Sequence, residues 1–586
     1  MKNLIVVIII GFVFSILSSS CEKMMGNFLD KAPGVDVTAD TIFSSQINAE
    51  TFVTEMYYKG MYSDLPMDDN LDSWKDCQTA CCDDEAEEVA SWFWSHDYNN
   101  GLIGPTYYRY FSDFHNINVD PRWTQRWTAI RNENILLERI DVVPETTPGY
   151  IDKAKGQARF LRALSYFEML KRYGGVPIVR KPLGSTDNFK IPRSTFKETV
   201  DFILGDCDTA ALLLPDKWPP AYRGKATKGA ALTLKARTLL YAASPLFNTN
   251  DPYMNLPGHN DLIGYGNFEI SRWQLAADAA KEVIDWAPSG GVFLITNQGV
   301  TNNYRYVWEI PDNAEIILGS KMQGPSTADN CLAFIAISGF YSGWGGTTVT
   351  QNFVQKYEKL DGTPQTWDPL GGNNLNQKYS ELDPRFEQTI AYNGSYWNVD
   401  FPSLKLWEGA VAPSTPPLLG CYGGYWLHKF LPRSCTQTVA AYRTWFIFRL
   451  AEAYLNYAEA LNEAQGPVPE AYNAVHIIRS RSGMPDFPAG LTKEQFREKL
   501  RNERSIELAF EDHRLYDIMR WRIAENEGVM QGNMWGIKIY KQADPSTEFS
   551  WVPYVFETRN FNRRFYLLPF GQIEIDKRYL IQNPGY

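Results

Sequence analysis

Between Arg501 and Trp521 the chain sets Glu503, Arg504, Glu507, Glu511, Arg514, Asp517 and Arg520 among Ile506, Leu508, Phe510, Ile518 and Trp521. On a continuous helix Arg504 lies one turn before Glu507, Glu511 one turn before Arg514, and Asp517 one turn from both Arg514 and Arg520. So apolar a segment has to pack, and packing it half-buries its charges. A lone buried carboxylate or guanidinium is prohibitive, so each ion needs a partner. The spacing therefore predicts a structural lock, not a reaction centre.

The chain has 586 residues, 44% apolar and 21% charged, and no Gly/Ser linker divides it, which favours one large folded body with two lobes. Its 18 Trp, 33 Tyr and 32 Phe exceed what a core normally takes, so some rings are expected at the surface. Lys and Arg total 57 against 68 Asp and Glu, a net charge of −11, which offers no basic face for phosphates and argues against nucleic acid as a partner.

Met1-Lys2-Asn3, the apolar run Leu4 to Leu17 and the small Ser18, Ser19 and Ser20 read as a secretory signal, too short for a permanent span. Cys21 follows at once and resembles the lipid-accepting cysteine of a bacterial lipoprotein, although Ser18 stands where leucine is usual. Lipidation at Cys21 would give a durable anchor, because each buried CH₂ contributes about 0.8 kcal/mol; a soluble periplasmic protein is the plainer alternative. The other cysteines, Cys77, Cys81, Cys82, Cys207, Cys331, Cys421 and Cys435, are odd in number and suggest no complete disulfide framework. The Cys77, Cys81, Cys82 cluster lacks metal-ligand spacing and a following His, so buried thiols or one bridge are expected there, and no metal or cofactor.

Residues 1–20 are the expected signal, 21–37 a lipidated tether, 38–295 an N-terminal helical part, 296–438 a loop-rich ligand-binding lobe, and 439–586 a C-terminal helical part completing the scaffold. Helical patterns run Trp123 to Ile140, Ile151 to Tyr173, Phe196 to Leu214, Thr227 to Ala243, Ser271 to Trp286, Thr444 to Glu463, Pro469 to Ser482 and Thr492 to Arg522. Such helices in pairs, with Ala against large aromatics, resemble tetratricopeptide units, giving a mostly α fold: a repeat scaffold beside a second lobe. In 296–438 helical periodicity fades and Gly, Asn, Pro, Tyr and Trp take over, the composition of recognition loops carried on a rigid body.

The 501–521 segment, together with Arg449 to Ala460, the terminal Gln582-Asn583-Pro584-Gly585-Tyr586, Asn27 to Pro33, Arg159 to Leu164, Tyr173-Gly174-Gly175-Val176-Pro177 and Lys228 to Tyr241, resembles the SusD/RagB family of nutrient-binding outer-membrane lipoproteins. The matches keep their order over nearly the whole chain. The resemblance implies four tetratricopeptide-like units, a cell-surface location, and a SusC-like TonB-dependent transporter as partner, to which the protein hands its ligand.

Sugar recognition needs flat apolar faces for pyranose C–H groups and nearby polar groups for hydroxyls. Two stretches fit: Trp92, Trp94, Asp97 and Tyr98 in the first, and Tyr341 and Trp344 between glycines in the second. The resemblance implies that Trp94 with Asp97 faces Trp344, as in the starch-binding member; the family has an amide at the Asp97 position. Trp397 and Trp407 are weaker candidates, and all these rings alternatively plug the lobe junction. Asp68, Asn70 and Asp72 open like a calcium loop, but Ser73 and Thr79 stand where Gly and Glu are needed. Asp83 to Glu88 is expected to be a solvated helix start.

No His-Glu-x-x-His, nucleophile elbow or phosphate loop occurs, and the six His residues are scattered. The expected role is capture of an oligosaccharide or polysaccharide without catalysis. A RagB-type peptide receptor is the runner-up, followed by a lipoprotein glycoside hydrolase, whose two carboxylates leave no sequence signature, and a protein-organising scaffold.

Overall fold

The computed structural model describes residues 39–61, 79–88, 94–107, 109–112, 115–117, 120, 122–321, 347–410, 423–436, 439, 444–543 and 549–586, with backbone only at 39, 94, 109–112, 115–117 and 321. The scaffold is a stack of helices. α1 (Gln46–Gly60) lies on α2 (Trp123–Arg139) and α3 (Tyr150–Tyr173), followed by α4 (Phe196–Leu213), α5 (Lys228–Ala243) and α6 (Ser271–Gly290), each on its predecessor. α7 (Leu450–Gln465) packs on α6 although a whole lobe separates them in sequence, and α8 (Pro469–Ser480) and α9 (Lys493–Glu507) pack on α7. This is the mostly helical, tetratricopeptide-like architecture that the periodicity predicts.

Local chemistry sets the ends of these helices. Thr195 and Glu198 form a capping box that starts α4, and Thr492 and Gln495 form another that starts α9. α3 is buried almost throughout its second half because α2 and α4 flank it on both sides. It ends where Gly174 takes φ 77° and Gly175 passes so close to Ser194 that an added Cβ would lie 2.1 Å from its carbonyl oxygen. Gly229 on α5 admits the Trp286 ring of α6, which a Cβ would meet at 2.0 Å.

The second lobe leaves the stack along β2 (Ile316–Lys321) and rejoins it along β6 (Thr444–Arg449), which pair antiparallel; here and below, β1 is Ala86–Glu88. The lobe contributes β3 (Thr347–Val349), β4 (Ile390–Ala391) and β5 (Trp426–Leu427) to a four-stranded sheet of order β1-β3-β5-β4. Short helices Asn303–Glu309, Leu375–Ser380 and Arg385–Thr389 interrupt the expected loops. Beyond α10 (Arg514–Trp521) the chain forms a hairpin of β7 (Gly532–Lys541) and β8 (Phe549–Arg559), with a register shift between Val555 and Glu557.

Three sequence expectations need correction. Residues 444–449 are strand, not helix, because they pair with β2 before α7 begins. Residues 492–522 are not one helix: α9 stops at Glu507, and Phe510 and Asp512 take φ of 59° and 62° before α10 starts. Those left-handed residues cost about 1 kcal/mol or more each, and remote contacts hold them. The Phe510 N–H donates to Glu85 Oε1 at 3.1 Å, and Thr79 Oγ1 donates to Asp512 Oδ1 at 2.6 Å. Finally, Asp83 to Glu88 is no solvated helix start: all five acids are buried and residues 86–88 form β1.

Breaking the helix sends its charges to distant partners. Glu507 accepts from Arg449 Nη1 at 2.7 Å and Arg385 Nη1 at 3.0 Å, and also from Arg481. Glu511 accepts from Arg449 Nε at 2.7 Å and Lys429 Nζ at 2.5 Å, and Glu503 from Arg385 at 2.5 Å and Arg479 at 2.7 Å. Asp517 joins Arg504 at 2.6 Å to Arg520 at 2.8 Å, and Arg514 chelates Asp84 with two bonds of 2.7 Å. Burial alone would raise the Glu507 carboxyl, but Arg481, Arg449 and Arg385 outweigh it and draw it down to about 2. The predicted lock is present, built from α9, α10 and the turn between them to the second lobe and to Asp84 just before β1.

Glu88 behaves oppositely. Burial pushes its carboxyl up to about 8, against a bond donated by Cys81 Sγ at 3.5 Å. A raised carboxyl binds its proton more tightly folded than unfolded, so its contribution is intact below the ordinary 4.5 and is lost as pH rises towards about 8.

Glu507→Gln is expected to cost about 3–5 kcal/mol of unfolding free energy, the range for breaking one side of a buried ion network; a urea titration showing under about 1 kcal/mol would contradict the lock. Glu88→Gln should flatten the fall of stability between pH 4.5 and about 8 by one proton's worth of slope, and unchanged slopes would show that Glu88 ionises freely.

Candidate ligand-binding site

The candidate aromatic stretches flank one ladder. β1 and β3 run antiparallel with Glu88 opposite Thr347, Glu87 opposite Thr348 and Ala86 opposite Val349. The C-terminal end of β1 and the N-terminal end of β3 therefore lie at the same end of the ladder; in the sequence Trp92 and Trp94 follow the first, and Tyr341 and Trp344 precede the second. The ladder is fixed from below. The Thr350 N–H donates to the Glu85 carbonyl at 3.1 Å, and Thr350 Oγ1 donates to the Asp84 carbonyl at 2.5 Å while capping the helix Gln351–Val354. Asp84 in turn is held by Arg514 and by Lys356 at 3.1 Å, so the ion lock reaches the site through a single strand.

Trp94 heads the short helix Trp94–Asn99, which is tied down at its far end. Asn99 Nδ2 donates to the Cys81 carbonyl at 2.9 Å and to Glu87 Oε2 at 3.1 Å, and the Asn99 carbonyl accepts from the Asn560 N–H at 2.9 Å. Asp97 is half-buried, and its Oδ2 accepts from the Tyr107 hydroxyl at 2.5 Å. Tyr98 is only 4% exposed and stacks on Phe565 with centroids 5.2 Å apart and planes at 21°, so its ring closes the underside of the helix and offers no open face to a ligand. Trp92, Tyr341, Trp344 and Cys21, and the side chain of Trp94, lie outside the described residues.

The weaker candidates sit within the lobe. Trp397 is buried and stacks on His428 at 4.7 Å, and Trp407 leans on Phe549 at 5.3 Å with Lys541 Nζ 5.2 Å from its ring. The first fills the interior. The second joins the lobe to the β7–β8 hairpin.

Sequence reading missed what underlies the helix Trp94–Asn99. Arg559 Nη2 donates to Glu87 Oε2 at 2.8 Å and to the Ala86 carbonyl at 2.9 Å, while its Nε donates to Glu557 Oε2 at 2.8 Å. Burial raises the Glu87 carboxyl well above its ordinary range despite Arg559, and a hydrogen bond with Glu557 adds to the rise. Nothing local relates positions 87 and 559. The alternation in Met534 to Tyr540 was nonetheless a readable strand signal for half of the hairpin that brings Arg559 here.

A model described as the SusD family matches residues 314–586, and a second, described as starch-binding associating with outer membrane, matches residues 27–240. A SusD-like protein, P25, from Formosa agariphila is 22% identical over 541 residues, covering 88% of this chain and 90% of that one. The fold is similar to the crystal structure of a SusD-like protein from Bacteroides fragilis, with TM-score 0.75 and 28% identity, covering 95% of this chain and all of that one. It is also similar to a laminarin-binding SusD-like protein, with TM-score 0.60 and 19% identity, covering 93% of this chain and all of that one. Helical stack, inserted lobe and ordered matches along both halves of the sequence agree, and the chain belongs to the SusD family.

Proposed function

We propose that this protein captures an oligosaccharide or polysaccharide at the cell surface and delivers it to a SusC-like TonB-dependent transporter. In this reading lipidated Cys21 anchors the chain in the outer membrane, and Trp94, Trp92, Tyr341 and Trp344 form an aromatic shelf with Asp97 as a hydroxyl partner. The observation that carries the reading is the Glu88–Thr347 pairing. Trp344 stands three residues before Thr347 in the sequence. Trp94 begins its helix on the chain leaving the partner strand. Tyr98 packs that helix on Phe565. The family-model description of starch-binding association with the outer membrane is consistent with the same ligand class and place.

Capture without cleavage suits the carboxylates near the shelf. Glu87 and Glu557 hydrogen bond directly and share Arg559, whereas glycoside hydrolysis uses carboxyl groups roughly 5–9.5 Å apart. Asp97 is engaged by Tyr107.

Native gels containing a panel of polysaccharides should retard the protein with at least one glycan and release no new reducing ends. Trp94→Ala with Trp344→Ala should then weaken that binding at least about 30-fold, the equivalent of one hot-spot contact of about 2 kcal/mol. Undiminished retention would overturn the shelf, and selective binding of peptides instead of glycans would favour a RagB-type receptor. Affinity capture from solubilised outer membranes should co-purify a large β-barrel, and its absence would overturn the delivery step.

A further inference from the structure

Glu87, His96 and Glu557 converge beneath the helix that carries Trp94 and Asp97. One ligand-capable atom from each lies within 4.8 Å of the others, and His96 Nδ1 is already 3.5 Å from Glu87 Oε1. The three come from separate elements: β1, the short helix Trp94–Asn99 and β8. They are graded in access, with Glu87 2%, Glu557 15% and His96 23% exposed at the side chain, so the cluster has a buried floor and an open mouth.

Two features distinguish it from a surface patch of acids. First, the carboxylates are held by a buried shell of donors. Arg559 and Asn99 both bond Glu87 Oε2, and Arg559 bonds Glu557 Oε2, while Glu87 Oε1 accepts from the adjacent Glu88 N–H at 3.0 Å and lies 3.5 Å from His96 Nδ1. Outer partners of this kind fix ligand direction in metal centres. Second, the donor set is mixed, one imidazole nitrogen and two carboxylate oxygens.

We infer that Glu87, His96 and Glu557 form a binding site for a zinc ion. Zinc takes His and carboxylate ligands at about 2.0–2.2 Å in a tetrahedron, which sets ligand atoms roughly 3.4 Å apart. The His96–Glu87 separation is already that short, and closing the 4.8 Å limit needs side-chain adjustment totalling at most about 1.4 Å. Calcium is the poorer occupant because it seeks six to eight oxygens. Zinc would displace the proton that the Glu87–Glu557 hydrogen bond holds, and both carboxylates and Arg559 would then surround the dication. Three protein ligands leave the fourth position to water at the exposed mouth. The ion would join the shelf-bearing helix to the hairpin, a positioning role that rests on the glycan-capture reading; the site itself does not.

Calorimetric titration of the EDTA-treated, full mature chain with zinc chloride tests this. The expected result is one ion per chain, with His96→Ala and Glu557→Gln each weakening binding at least tenfold while both variants melt within a few degrees of the parent in EDTA. Crystals grown with zinc should show an anomalous peak at the zinc edge among the three side chains. Absence of zinc binding, or binding that His96→Ala leaves unchanged, would overturn the inference. Should Glu557→Gln fail to fold, the His96→Ala titration and the position of the anomalous peak decide it. Glycan retention is read separately, so failure of the zinc site and failure of the shelf are distinguishable.

Discussion

The buried pairing of Arg449, Arg481 and Arg385 with Glu507, and of Arg449 and Lys429 with Glu511, is the constraint from which the rest follows. Arg449 closes β6 just before α7, Arg385 and Lys429 belong to the second lobe, and Glu507 ends α9. Charges this deep tolerate no separation of their carriers, because an unpaired guanidinium or carboxylate costs several kcal/mol. The network therefore fixes the lobe on the helical stack more specifically than apolar contact would, and it explains why α9 stops where it does. The chain adopts left-handed turns at Phe510 and Asp512 so that Glu507, Glu511 and Arg514 can each face a different neighbour.

From there the constraint passes to the candidate binding region. Arg514 and Lys356 hold Asp84, the next residues form β1, and β1 sets β3 in register. Arg559 performs the same task from the hairpin side, gripping the carbonyls of Asp83 and Ala86 together with Glu87. Two strands far apart in sequence thus pair in a short, wholly buried ladder. A site assembled on such a base can vary its loops without loosening the body that presents them.

The helical stack was legible because its signal is local: apolar residues at helix spacing, Thr caps and glycine stops each declare themselves within a few residues. The presence of a charge lock was also legible, since no packed segment can carry that many ions unmatched. Its wiring was not. Arg504 and Asp517 meet across a helix break, and Glu507 pairs with residues from 385 to 481, relations that one-turn spacing cannot anticipate. The same limit hid the buried fate of Asp83 to Glu88, whose partners Arg514 and Arg559 lie at the far end of the chain. Composition singled out Trp94, Asp97 and Tyr98 together as ligand-facing, but Tyr98 is core, a distinction set by Phe565 and invisible locally.

The central claim is that the rings at positions 94 and 344 hold one ligand between them. A crystal structure with the oligosaccharide that the gels identify tests it most directly. The account predicts both indole faces within about 4 Å of the same sugar chain, with Asp97 or Tyr107 reaching a hydroxyl. A sugar bound elsewhere, for example in the cleft beside Trp218 and Trp286, with neither ring touched, would contradict it.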